Sequence, residues 1–137
     1  MMRIKTSTGS GRTPEVGAYI SYQLLLWLKR RVRLGIGRLG AFDFPAGRYV
    51  YTGSARRNLE ARVARHLGPA KRPHWHIDYL LCCAGVEVLR VRRFRRAECA
   101  VNRGTRGMIP VPGFGASDCR AGCNAHLKYL GSHQEDK

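Results

Sequence analysis

An arginine and a histidine four residues apart, Arg62 and His66, stand in the run LEARVARHL at 59–67. On a helix that spacing stacks both side chains on one face, where they can touch the same anion. The rest of the chain is strongly cationic: 25 Lys and Arg against 9 Asp and Glu leave a net charge of +16 among 137 residues. The excess is clustered, with seven arginines between Arg90 and Arg106 and a second group at Arg30, Arg31 and Arg33. Self-repulsion on this scale is costly unless a polyanion is the partner, so nucleic acid is the first candidate. The bland alternative is a solvated basic face.

Two further groups could hold a metal. His74, His76 and Asp78 form an HxHxD pattern, as easily structural on an element packed by Trp75, Ile77 and Tyr79. Cys99, Cys119, Cys123 and His126 offer a CxxxCxxH spacing that would suit zinc if Cys99 came near, although buried cysteines commonly serve as small apolar residues. Five cysteines cannot all pair, and with no export signal they read as thiols or metal ligands rather than a disulfide framework. The apolar run from Ala18 to Leu28 is too short to span a bilayer. A cytoplasmic protein without membrane contact is therefore expected.

The elements that must position these groups are punctuated by Gly and Pro. Residues 1–15 read as a flexible basic tail, 16–131 as the folded domain and 132–137 as a polar tail. GAYISYQLLLWL reads as a strand with Ala18, Ile20, Tyr22, Leu24 and Leu26 on one face and Tyr19, Ser21 and Gln23 on the other. A Gly-rich hairpin follows, then the strand RYVYTG, in which Gly53 lets a ligand or another backbone approach closely. Asn58 reads as the cap of a helix with an apolar stripe of Leu59, Val63 and Leu67, stopped at Gly68-Pro69. HWHIDYLLCCAG fits a helix or a strand equally. VEVLRVRRF reads as a strand whose phase slips near Leu89, as at a bulge. AECAVNRG reads as a short helix, and a Pro/Gly loop leads to HLKYL as a final strand.

GAY at 17–19, VYTGSA at 50–55 and LEARVARHL at 59–67 together resemble the signature of the GIY-YIG nuclease superfamily. Through GRLGAFDFPAGRYVYTGSA, HWHIDYLL and GFGASDC the chain is similar to a stand-alone prokaryotic branch of it that is sometimes fused to endonuclease III. The resemblance implies an α+β fold, with a small central antiparallel sheet of about three strands flanked by helices and an added hairpin. It also implies a metal-dependent endonuclease using Mg2+ or Mn2+, in which Tyr19 and Tyr51 match the motif tyrosines, Arg62 the helix arginine, His66 its partner one turn on, and Glu98 the acidic metal ligand. Ala18 and Thr52 depart from the usual branched apolar residues, and the Tyr19–Tyr51 connection is longer than is typical.

Such chemistry suits these residue types. Phosphodiester hydrolysis needs a deprotonated nucleophile, charge on the phosphoryl oxygens and help for the leaving oxygen. A carboxylate-held magnesium supplies charge, and an arginine fork can face two non-bridging oxygens. A tyrosine of ordinary pKa is a poor base at neutral pH and needs assistance. Arg56, Arg57, Lys71, Arg72, His74, Arg92, Arg93, Arg95 and Arg96 would grip the DNA backbone, for repair, recombination or restriction. Two other readings stand beside this one: a nucleic-acid-binding module without turnover, accessory to a repair glycosylase or to RNA, and a zinc-stabilised interaction domain. If the nuclease reading holds, Tyr19, Tyr51, Arg62 and Glu98 line one cleft.

Overall fold

The computed structural model describes residues 19–55, 57–69, 72–116 and 122–132. Strand β1 (Ser21–Leu28) is followed by β2 (Val32–Gly35), a 3-10 turn (Gly37–Leu39), β3 (Ala41–Phe44) and β4 (Gly47–Ser54). Helices α1 (Leu59–Leu67) and α2 (His76–Leu81), strand β5 (Val86–Phe94), helix α3 (Glu98–Arg103) and strand β6 (Leu127–Gly131) complete the order. β1, β4, β5 and β6 form one antiparallel sheet in the order β5-β1-β4-β6, and β2 pairs with β3 as a separate hairpin. The fold is α+β as expected, with four strands in the main sheet rather than about three, because the closing HLKYL segment pairs with β4.

The strand pattern follows the pleat. Tyr22, Leu24, Leu26 and Leu28 of β1 and Tyr49 and Tyr51 of β4 are buried in one apolar cluster with Leu59 and Val63 of α1. Gln23, of opposite parity, donates to the hydroxyls of Thr52 at 3.1 Å and Thr105 at 2.8 Å, on the side where α3 meets β1 and β4. The β2-β3 hairpin adds Ile36 and Phe44 to the core.

The phase slip near Leu89 is a bulge. Leu25 pairs with Arg90 and Leu26 with Val88, leaving Leu89 as the extra, exposed residue. The ambiguous segment after Pro73 is the helix α2. Asn58 does sit at the start of α1, but in a left-handed conformation and with no capping hydrogen bond from its side chain. Its value there is tolerance of positive φ rather than the capping expected. Leu67, the last member of the apolar stripe, is only half-buried.

Candidate active site

Parity across the β1-β4 pair decides which tyrosines meet. In an antiparallel pair directly opposed residues share a face. Leu24 opposes Tyr51 and Tyr22 opposes Gly53, so Tyr22 and Tyr51 stand diagonally on one face with ring centroids 6.3 Å apart. A Cβ at residue 53 would lie 2.5 Å from the Tyr22 hydroxyl, so only glycine leaves room for that ring. The close approach that Gly53 permits is thus made by a side chain of the same sheet. Tyr19 is not in this group, which corrects the expectation from the GAY stretch. It precedes β1, is 40% exposed, and lies beneath the guanidinium of Arg95 at 4.4 Å.

Helix α1 supplies the next two groups from one face, as its i, i+4 spacing requires. His66 is buried, with Nε2 at 2.6 Å from the Tyr22 hydroxyl. Arg62 donates from Nη1 to the Ser54 carbonyl at 2.6 Å, and its guanidinium stacks 4.6 Å from the Trp75 ring centroid. Both contacts fix its aim and leave the other donors of the fork toward the cleft.

The acidic group comes from the opposite side. Glu98 opens α3, and its Oε2 lies 2.5 Å from Nδ1 of His126, which is buried just before β6. His76 Nδ1 accepts the Gly115 amide at 2.8 Å, so the proton of this imidazole resides on Nε2. Tyr22, Tyr51, Arg62, Glu98, His76 and His126 line a single cleft of about 460 Å³, together with Ser54, His74, Trp75 and Gly115.

Burial sets the protonation of this cleft. It pushes the Tyr22 and Tyr51 hydroxyls well above the ordinary phenolic range, and the Glu98 carboxylate adds to the rise. The Arg62 guanidinium acts the other way on both, too weakly to reverse the balance. Burial also lowers the pKa of His76. At neutral pH the cleft therefore presents two protonated phenols and a neutral imidazole at His76.

The family model of DUF123, a domain of unknown function, matches residues 21–137. The chain belongs to that family. No curated protein and no solved structure matches it.

The basic residues of this DUF123 domain divide. Arg57, Arg72, His74, Arg92, Arg95 and Arg96 are exposed. Arg56 and Lys71, expected to join them, lie outside the described residues. Arg93 opposes Tyr22 in register and is tied to Glu60 by two hydrogen bonds of 2.6 and 2.8 Å, so its charge is largely spent within the protein. Arg92 opposes Gln23 and so belongs to the other face. The arginines of β5 thus do not form one surface, because alternation splits them. No helix among the described residues is long and apolar enough to cross a membrane.

The HxHxD pattern is structural. Asp78 is fully buried; its carboxylate accepts the amides of His74 at 2.7 Å and Trp75 at 2.9 Å and two bonds from Arg65 Nη1 at 2.9 and 3.1 Å. With both oxygens committed it caps α2 and leaves no ligand for a metal. Cys99, Cys123 and His126 do come together, whereas Cys119 lies outside the described residues. Sequence reasoning missed Tyr22, Trp75 and His76 as cleft residues. The signal for Tyr22 was a phenol, a polar tip, on the apolar face of β1.

Proposed function

We propose that this cleft is the catalytic centre of a GIY-YIG-type endonuclease that hydrolyses DNA phosphodiester bonds with a divalent cation, magnesium or manganese. The observation that carries the reading is the convergence of Tyr22, Tyr51, Arg62 and Glu98, from two strands and two helices, on one pocket, with His66 buried behind it against the Tyr22 hydroxyl. In this reading Tyr22 takes the role that the motif resemblance gave to Tyr19.

The residues present fit such a cation. Glu98 Oε2 is engaged by His126, so Oε1 would hold it, and magnesium commonly accepts one or two carboxylates while keeping several waters. When bound, the cation supplies positive charge against the phosphate and the leaving oxygen. Arg62, locked by Ser54 and Trp75, faces the non-bridging oxygens. Tyr22 and Tyr51 are too basic to be phenolates at neutral pH, so the proton path runs through the hydrogen bond to His66. As a water oxygen bonds to phosphorus, its proton passes to the Tyr22 hydroxyl, and the Tyr22 proton moves to His66 Nε2. The bond from phosphorus to the leaving oxygen breaks, and that oxygen is protonated from solvent. Tyr51, packed against Tyr22 and His66, donates a hydrogen bond to the phosphate rather than serving as the base.

Purified protein incubated with labelled duplex, flap and branched DNA is expected to cleave with magnesium or manganese and not with chelator. Glu98→Gln keeps the volume and a hydrogen-bonding oxygen for His126 but removes the charge that recruits the cation. It is expected to fold and bind DNA yet show no metal-dependent cleavage. Cleavage by Glu98→Gln at the wild-type rate would overturn the reading, and wild-type binding without turnover on every substrate would leave a nucleic-acid-binding module.

A further inference from the structure

Behind Glu98, on the side of His126, lies a second group of ligating side chains. The sulfurs of Cys99 and Cys123 and a ring nitrogen of His126 all lie within 4.8 Å of one another. We propose that Cys99, Cys123 and His126 form a structural zinc site that ties α3 to the start of β6. A tetrahedral zinc, with Zn–S of about 2.3 Å and Zn–N of about 2.0 Å, sets its donors roughly 3.5–4 Å apart. The three donors need draw in by about one ångström at the widest, within reach of side-chain rotation. Two thiolates and an imidazole are soft ligands that select zinc over the oxygen-seeking magnesium. The Glu98–His126 contact has the form that metal-bound histidines adopt. With Nδ1 engaged by the carboxylate, the ring binds metal through Nε2, and the carboxylate fixes its tautomer and orientation. The buried Lys128 ammonium, held by the carbonyls of Asn102 at 2.9 Å and Thr105 at 2.7 Å, is a further link between α3 and β6.

The site has a task in the fold. Helix α3 has six residues, too few to be stable by itself, and Cys99 follows Glu98 directly. The segment carrying Cys123 and His126 is held by a few bonds: Gly113 N–H to the Asn124 carbonyl, Asn102 Nδ2 to the Ala125 carbonyl, His126 N–H to the Phe114 carbonyl and, from the sheet, Thr52 N–H to the His126 carbonyl. A metal clip between the two pieces would hold Glu98 at the mouth of the cleft. A water would complete the tetrahedron as the fourth ligand. This proposal does not depend on cleavage.

Cobalt is the probe. Titration of reduced, metal-stripped protein with Co2+ is expected to give thiolate-to-cobalt charge-transfer absorption and the intense visible bands of a tetrahedral site, saturating at one equivalent and displaced by zinc. Cys82→Ser with Cys83→Ser should leave that spectrum unchanged, and Cys99→Ser with Cys123→Ser should abolish it. Glu98→Gln should keep the tetrahedral spectrum with metal affinity weakened about 10- to 100-fold, the usual effect of altering a partner of a ligating histidine. Because the readout is spectroscopic, a cleft that fails to cut DNA leaves it untouched. Wild-type protein that shows no thiolate–cobalt band, or a band that survives loss of both Cys99 and Cys123, would overturn the proposal.

Discussion

The hydroxyl of Tyr22 lies between the Arg62 guanidinium and Nε2 of His66, and that position separates its fate from that of Tyr19. Removing only its oxygen, in Tyr22→Phe, keeps the ring that packs the core. Single-turnover cleavage should fall about a hundredfold or more, the scale of losing a proton-transfer group. Tyr19→Phe should cleave at the wild-type rate, since that ring stands outside the cleft beneath Arg95. Equal losses in the two variants would mean that Tyr22 has no special role. Gly53→Ala tests the same geometry from the neighbouring strand. Its methyl would meet the Tyr22 hydroxyl at 2.5 Å and force the ring away from His66. Overpacking of this kind costs about 1–3 kcal/mol in chemical denaturation, and cleavage should fall at least as far as in Tyr22→Phe.

At the scale of the element, α2 depends on Asp78. Burial by itself would raise the pKa of this carboxyl, but the Arg65 hydrogen bonds and the His74 and Trp75 amides outweigh it and hold the group below the ordinary carboxylate range. A group whose pKa is lowered by folding adds stability that is fully present above its unfolded value, near 4, and is lost as the pH falls through the folded value. Asp78→Asn removes that contribution and leaves Arg65 without its charge partner. We expect a loss of about 3 kcal/mol at neutral pH, read from urea melts, and a flatter acid limb of stability against pH than in wild type. Parallel acid limbs would show that Asp78 does not carry the dependence. The same change loosens the segment that places Trp75 under Arg62, so cleavage should weaken as well.

For the whole molecule, the net charge of +16 predicts DNA binding that weakens steeply with salt, because each phosphate contact releases condensed counterions. Affinity that stays flat between low and physiological salt would contradict this. The exposed arginines should carry the effect. Replacing Arg57, Arg72, Arg92 and Arg96 with alanine should reduce affinity on unrelated sequences alike and make the salt slope shallower by up to about one per residue that touches phosphate. Arg93→Ala should change binding least, since Glu60 already neutralises it. A loss in Arg93→Ala as large as those at the exposed positions would show that this pair opens to meet DNA.

The sequence by itself determined the elements and their faces. Alternation placed Tyr22, Leu24 and Leu26 together, the phase slip marked the bulge at Leu89, Gly and Pro bounded the hairpin, and the spacing of Arg62 and His66 put them on one side of α1. These are local properties, written in the pleat, the helical repeat and turn chemistry. What alternation does not contain is the register between strands, and register made Tyr22 rather than Tyr19 the neighbour of Tyr51. The short run from His76 to Leu81 was ambiguous for a related reason: one buried face fits either period, and the capping bonds to Asp78 that make it a helix include a partner on α1. The meeting of Glu98 with His126, and of Cys99 with Cys123, joins α3 to the start of β6 across the intervening loop. Only the tertiary structure decided these contacts, because closing that loop depends on how the β6 segment docks against β4, not on any pattern within either segment.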